Sequence, residues 1–335
     1  MILEHRLKGK RILFCSPAFF HYEQEIVKKM EALGLIVDYY DERSVQKPFD
    51  RALLKIVPSI FNHKTREYYN RIIDANSKKD YDYILIVRAD MITNEILEKL
   101  RLKYSKAKIN LYLWDSFNNI VGIRSKLKFF DKIFTFDPVD AERSSSLIFR
   151  PLFFSESYSD RKKNQNEIFK YKLSFIGTIH SDRYGLVNQV RKQISENKND
   201  TFTYMFLQSK WIFFVHKIFK KDFKNAKQSE FKTVSLNMSE VSKIESESEI
   251  ILDVEHPKQT GLTMRTIEML GMQKKLITTN VEVKKYDFYN PNNICVINRK
   301  RPLIDNNFLK SDYVPTPSKI YDKYTLESWV NDVLS

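Results

Sequence analysis

Residues Ser248 to Asn280 read SEIILDVEHPKQTGLTMRTIEMLGMQKKLITTN. The run 250–254 is short, apolar and bounded by polar residues, the pattern of a buried strand. A turn-forming segment follows at 256–261. Over 263–272 apolar residues recur at helical spacing as Met264, Ile267 and Leu270, Gly271 stands where a helix would stop, and 276–279 returns to strand character. The unit is strand, loop, helix, strand. Its loop delivers Gly261, Leu262 and Thr263 to a helix start, with Arg265 in the first turn. Backbone N–H groups at such an end lack intrahelical partners, and the helix dipole favours an anion there. Arg265 adds a fork of donors suited to phosphate. The local physics predicts a site for a phosphorylated ligand.

The pattern Thr260-Gly261-Leu262-Thr263-x-Arg265-x-x-Glu268-x-Leu270-Gly271, then a basic turn and Leu276-Ile277-Thr278, resembles the donor-sugar segment of GT-B glycosyltransferases. Within them it is similar to the group that includes CgeB-like and polysaccharide-assembly transferases. The resemblance implies that Gly261, Leu262, Thr263 and Arg265 hold the diphosphate of a nucleotide sugar, and that Glu268 contacts the ribose. Many retaining members carry an acidic residue eight positions before that Glu; here the position is Thr260. The departure points toward inversion. The competing reading is an ordinary βαβ unit, with Glu268 a solvated helix residue and Arg265 a surface charge.

A chain of 335 residues, 42% hydrophobic and 29% charged, is long enough for two α/β domains. No run approaches the roughly 20 apolar residues that cross a bilayer. Residues 1–10 are polar and lack an apolar signal core, so a cytoplasmic location is expected. Cys15 and Cys295 are too few and too far apart for a disulfide framework or zinc spacing, and both read as small buried strand residues. The net charge of +14, from 56 basic and 42 acidic residues, suits an anionic small molecule, an anionic lipid surface or nucleic acid. No zinc-finger spacing or RNP-like stretch accompanies it, and no nucleic-acid partner is expected.

The first half alternates strands (11–16, 35–40, 83–87, 109–114, 132–136) with helices (22–33, 53–74 with a break at Pro58, and 94–103 capped by Thr93), which argues for a parallel, doubly wound sheet. The polar segment 155–167 reads as a linker. A second alternation starts with a strand at 171–176, then Gly177, a helix from about Tyr184 to Ile194 and a strand at 201–207. Three domains of sequence follow: 1–155 on the acceptor side, 168–305 for the donor, and a tail, 306–335. The tail ends in an amphipathic helix through Leu326, Trp329, Val330 and Val333. The expected fold class is α/β, GT-B: two Rossmann-like doubly wound domains facing a cleft, with the C-terminal helix packing back on the first domain.

Further candidates sit at predicted strand ends. Asp115, in Trp114-Asp115-Ser116, is the first choice for a base that deprotonates an acceptor hydroxyl, and it serves equally well as an N-cap or turn residue. Asp90 is the second candidate by the same topology. Asp137 precedes Pro138 and reads equally as a turn start. His21 follows the first strand, where a lone His is more often structural. In Phe175-Ile176-Gly177-Thr178-Ile179-His180-Ser181-Asp182-Arg183 the family resemblance implies that Gly177 and Arg183, with His180, face the donor phosphates; the plain alternative is a turn with Arg183 exposed. Arg183 and Arg265 together would neutralise the leaving diphosphate without a metal. Asp80-Tyr81-Asp82 matches a metal-binding DxD only superficially, because it precedes its strand, and no metal is expected. The segment 210–221, KWIFFVHKIFKK, is basic and aromatic; it fits a membrane-interface helix or a core helix of the second domain.

Together these readings predict a cytoplasmic glycosyltransferase, possible peripheral membrane contact through 210–221 included. It would move a sugar from a nucleotide-sugar donor to a hydroxyl of a surface polysaccharide or lipid-linked glycan, by inversion and with no cofactor beyond the donor. A nucleotide-sugar epimerase or hydrolase of the same fold, and a basic nucleic-acid-binding protein, are the alternatives.

Overall fold

The computed structural model describes residues 6–45, 58–159, 169–257 and 259–335. They form two parallel six-stranded sheets in two compact units. One unit comprises Met1–Pro151 with Leu326–Ser335, the other Leu152–Thr325.

The first sheet contains β1 (Arg11–Cys15), β2 (Ile36–Tyr40), β3 (Tyr83–Val87), β4 (Lys108–Leu113), β5 (Lys132–Thr135) and β6 (Ile148–Phe149). Their order is β2-β1-β3-β4-β5-β6. Strand β3, YILIV, is buried at every position, as a parallel strand covered on both faces must be. Helices α1 (Tyr22–Ala32), α2 (Asn62–Ala75) and α3 (Asn94–Lys103) flank the sheet. Thr93 caps α3 as expected, accepting from Ile96 N at 3.4 Å. Most of the long helix expected before Asp74 starts only at Asn62, after a 3-10 turn at Pro58–Phe61; its earlier part, through residue 57, lies outside the described residues.

The second sheet contains β7 (Tyr171–Thr178), β8 (Thr201–Phe206), β9 (Phe231–Lys232), β10 (Ser248–Asp253), β11 (Lys275–Thr278) and β12 (Ile294–Val296), in the order β12-β11-β10-β7-β8-β9. Its longer helices are α4 (Arg183–Ile194), α5 (Lys210–Phe219), α6 (Met238–Ser246) and α7 (Met264–Met272). Thr263 is the N-cap of α7, with its hydroxyl accepting from Thr266 N at 3.3 Å. Gly271 does not end α7. The helix runs through it, and Gln273 supplies the left-handed residue, at φ 52°. Gly271 is there for space: a Cβ would stand 2.6 Å from both the Phe154 ring and the Tyr158 carbonyl.

That contact also corrects the linker expectation. Residues 160–168 lie outside the described residues, but Phe154 and Tyr158 are buried and pack on α7. Tyr321 Oη donates to the Gly271 carbonyl at 2.8 Å, closing the same layer.

Residues 306–325 group with the second unit, and the final helix α8 (Leu326–Val333) belongs to the first. Leu326, Trp329, Val330 and Val333 are all buried. Trp329 meets Tyr112 edge-on at 4.9 Å, and Asn110 Nδ2 donates to the Val333 carbonyl at 2.7 Å. Each fully buried apolar side chain of this size contributes roughly 1.5–3 kcal/mol, so the amphipathic stripe accounts for the docking.

Candidate functional site

In the second sheet β7 lies between β8 and β10, and the chain moves outward from it in opposite directions. Loops leaving the carboxyl ends of β7 and β10 therefore diverge and open a crevice, the place where ligands bind in such sheets. The loop after β7 carries His180, Asp182 and Arg183. The loop after β10 carries Glu255, His256 and Gly261 to Thr263, ending at the N-terminus of α7. Asp253, the last residue of β10, anchors that end: its Oδ2 accepts from Thr263 Oγ1 at 2.6 Å and from Thr266 Oγ1 at 3.0 Å. Gln259 Nε2 and Asn280 Nδ2 donate to the Gly261 carbonyl at 2.9 and 3.3 Å, fixing the loop before the helix. Leu262 is buried and pins it from below.

Three guanidinium groups converge here. Arg183 opens α4, and its Nη1 donates to the Thr178 carbonyl at 2.8 Å. Its Nε is buried with no hydrogen-bond partner among the described residues. Burial, with Arg265 and Arg299 nearby, pushes its pKa down to about 10 against the opposing pull of Asp253. Arg299 was not foreseen. It follows β12, and it donates from Nη1 to Asp182 at 2.6 Å and from Nη2 to the Glu255 carboxylate at 2.9 Å. The basic run Asn298-Arg299-Lys300-Arg301 after a short strand was the available signal. Arg265 is neither a surface charge nor a free fork. Its Nε donates to buried Glu245 at 2.8 Å, and its Nη1 to the Ile176 carbonyl. Burial pushes the Glu245 carboxyl up, and Arg265 partly offsets this. Glu268, one turn further along α7, is buried rather than solvated, and its charge acts on Arg265 and Tyr158.

His180 and His256 stand with ring centroids 5.4 Å apart. Burial, then Arg183, His256, Lys220 and Arg299, push the His180 pKa down to about 4. Lys220 reaches the same loop, donating to the Ser181 carbonyl at 2.9 Å. Gly177 lies within β7, where a Cβ would press to 3.1 Å from the Phe175 ring. The result is a partly dehydrated cationic cluster beside a helix N-terminus, an arrangement suited to a compact polyanion.

The first unit has its own crevice, where β1 lies between β2 and β3. The loop after β3 is strained: Arg88 and Ala89 have φ of 74° and 61°. Arg88 Nη2 lies 2.9 Å from Asp90 Oδ2 and 3.3 Å from Asp115 Oδ2, so the two base candidates share one guanidinium. Asp115 Oδ1 also accepts from Ser116 N at 2.9 Å and Asn119 Nδ2 at 2.8 Å, a turn-fixing role alongside the ion pair. Lys126 Nζ donates to the Ala89 carbonyl at 2.6 Å beneath the loop. Buried Glu42 accepts there from Met91 N and Ile92 N at 2.7 and 3.2 Å. Burial and then Asp90 push the Glu42 carboxyl up to about 8.

Asp137 is a cap, accepting from Val139 N at 3.0 Å and Ser116 Oγ at 2.8 Å. His21 is exposed at the start of α1, at φ 65°, and makes no side-chain cap. Asp82 accepts from Arg11 N at 2.9 Å at the leading end of β3, away from the carboxyl ends of the strands. Among the described residues no three His, Cys, Asp or Glu side chains are grouped to hold a metal ion, and no helix is long and apolar enough to cross a membrane.

No protein-family model matches the sequence, and no curated protein sequence matches it either. Solved structures do match in fold. The E. coli trehalose-6-phosphate structure bound with UDP-2-fluoro glucose is 10% identical, with a TM-score of 0.59 over 97% of this chain and 99% of that one. HepE from Anabaena, in complex with UDP-glucose, is 8% identical, with a TM-score of 0.56 over 97% and 98%. A UDP-glucosyltransferase from Polygonum tinctorium is 8% identical, with a TM-score of 0.50 over 98% and 96%. Nearly the whole chain is covered in each case, and the protein has the two-unit α/β fold of the GT-B glycosyltransferases.

Proposed function

We propose that this protein is a glycosyltransferase of the CgeB-like, polysaccharide-assembly group, moving a sugar from a nucleoside-diphosphate donor to a hydroxyl of a surface polysaccharide or lipid-linked glycan. The observation that carries the reading is the gathering of Arg183, Arg299, His180 and the α7 N-terminus at the β7/β10 crevice. In the proposed reaction the acceptor oxygen attacks the anomeric carbon as the bond to the diphosphate breaks. Charge develops on the departing phosphate oxygens. Fixed donors in a partly buried site stabilise that charge without reorganising, and supply what a metal otherwise would. Gly261 to Thr263 would offer backbone N–H groups, Arg265 would hold the first turn of α7 in place, and Glu268 would bind the ribose.

Inversion needs one base to take the acceptor proton. Asp115 is the proposed base, with Asp90 as its substitute, and Arg88 orients both. Thr260, in place of an acid, supports inversion over retention. The test is calorimetry against UDP, ADP, GDP, CDP and dTDP with a chelator present, followed by incubation with the matching nucleotide sugars. Selective, chelator-resistant binding of one nucleotide, with sugar transfer to an acceptor glycan, is the expected outcome. Binding with turnover to an epimer or free sugar, indifferent to any acceptor, would replace the reading with an epimerase or hydrolase. No binding of any nucleotide would end it.

A further inference from the structure

Helix α5 is not a core helix. Phe213 is 3% exposed and Ile212 packs partly against the second unit's core, but the opposite face is bare. Trp211 is 73% exposed, Phe214 47%, Ile218 76% and Phe219 80%. With Val215, positions 211, 214, 215 and 218 follow the i, i+3, i+4, i+7 spacing of one helical face. A cluster of large apolar side chains this exposed marks an interaction surface.

Charge identifies the occupant. From 210 to 227 the chain carries six lysines, at 210, 217, 220, 221, 224 and 227, against the single acid Asp222. Lys210, Lys221, Lys224 and Lys227 are exposed in and just after this helix. Exposed aromatic rings flanked by flexible cations on a short helix match the interface of an anionic bilayer. There the rings enter the acyl boundary and the lysines are drawn to the anionic headgroups. We infer that α5 lays its Trp211, Phe214, Ile218 and Phe219 face in the surface of an anionic membrane. The helix also joins that surface to the donor side of the unit: Lys220, just past its end, holds the Ser181 carbonyl beside His180 and Arg183. A docked α5 thus keeps the phosphate-facing loop next to the lipid headgroups. The inference concerns the surface of the second unit and does not depend on the donor reading.

The full chain is sedimented with sucrose-loaded vesicles of phosphatidylcholine alone, or with about one-third phosphatidylglycerol. It pellets with the anionic vesicles and stays in solution with the neutral ones, and high salt weakens the binding. Trp211 is the exposed tryptophan, whereas Trp329 is buried and Trp114 half-buried, so its fluorescence shifts to the blue on binding. Trp211→Phe keeps the binding and loses the shift. Trp211→Ser with Phe219→Ser lowers partitioning by about tenfold or more while circular dichroism, and affinity for whichever nucleoside diphosphate binds, are unchanged. Pelleting unaffected by the double substitution, or absent with every vesicle, overturns the inference. So does a dimer in sedimentation velocity that the double substitution dissociates, which would give the face to a second copy of the chain. No binding of any nucleoside diphosphate, with vesicle binding intact, would sink the donor reading alone.

Discussion

Arg299 Nη1 lies 2.6 Å from Asp182 Oδ1, so a residue three positions past β12 is tied to the residue that precedes α4. The pair links two loops 117 positions apart in sequence at one end of the sheet. It also holds a guanidinium where a diphosphate would compete with Asp182 and Glu255 for it.

Replacing Arg299 therefore tests the proposed phosphate site at a residue the motif does not contain. Arg299→Lys keeps the charge and loses the planar fork. Nucleotide affinity is expected to fall by about tenfold or more, because the fork and not the charge alone matches phosphate oxygens. Calorimetry with the preferred nucleoside diphosphate reads this directly. Unchanged affinity would confine Arg299 to bracing the loops.

His180 gives the site a pH dependence of known sign. Its pKa is depressed from 6.5 to about 4, so the folded protein binds fewer protons than the unfolded chain between those values. Stability from this group is complete above 6.5 and declines as pH falls toward 4. A bound diphosphate beside the ring would favour the imidazolium, so complex formation takes up a proton. Affinity for the matching nucleotide sugar, whose diphosphate does not titrate in this range, is expected to rise as pH falls from about 7 to about 5. His180→Asn should flatten that slope; a slope kept by the variant would remove His180 from the proposed phosphate site.

Asp115→Asn and Asp90→Asn separate two carboxylates that share Arg88. Loss of a general base costs about 10²- to 10⁴-fold in turnover and leaves donor affinity unchanged. Turnover measured on both variants, with UDP binding as the control, names the base. Full transfer by both would leave the Arg88 cluster as loop structure only.

Gly271→Ala pits helix propensity against packing. Alanine favours a helix interior by about 1 kcal/mol over glycine. Here the new Cβ would meet the Phe154 ring and the Tyr158 carbonyl at 2.6 Å, and one of these contacts is backbone that cannot rotate away. Overpacking of this kind costs about 1–3 kcal/mol, so a net loss of stability is expected in urea unfolding. A stabilised variant would show that the 154–158 segment yields easily.

Several features were legible in the sequence because they depend on neighbours along the chain. The alternation of apolar runs and helical stripes gave both doubly wound sheets and their central strands. Thr93 and Thr263 were readable as helix starts, and Leu326, Trp329, Val330 and Val333 as one buried stripe, since caps and amphipathic faces act over a turn or two. The two-residue strands β6 and β9 were not readable, because so short a pairing exists only when a neighbouring strand supplies the hydrogen bonds. For α5 the sequence alone leaned toward a core helix over a membrane face; burial of Phe213 and exposure of Trp211 decide for a surface helix.

The site divides along the same line. By itself the sequence determined that a helix start with Gly261, Leu262 and Thr263 follows a buried strand, since a strand, a turn and a cap are local events. Tertiary structure alone decided which charged side chains gather in each unit. Arg265 is held by Glu245, Arg299 and His180 arrive from other loops, and in the first unit Asp90 and Asp115 meet on Arg88. Arg88–Asp90 apart, each of these contacts joins residues 20 or more positions apart in the chain. Which partner a buried charge finds is fixed by the order of the strands, and that order is a property of the folded sheet.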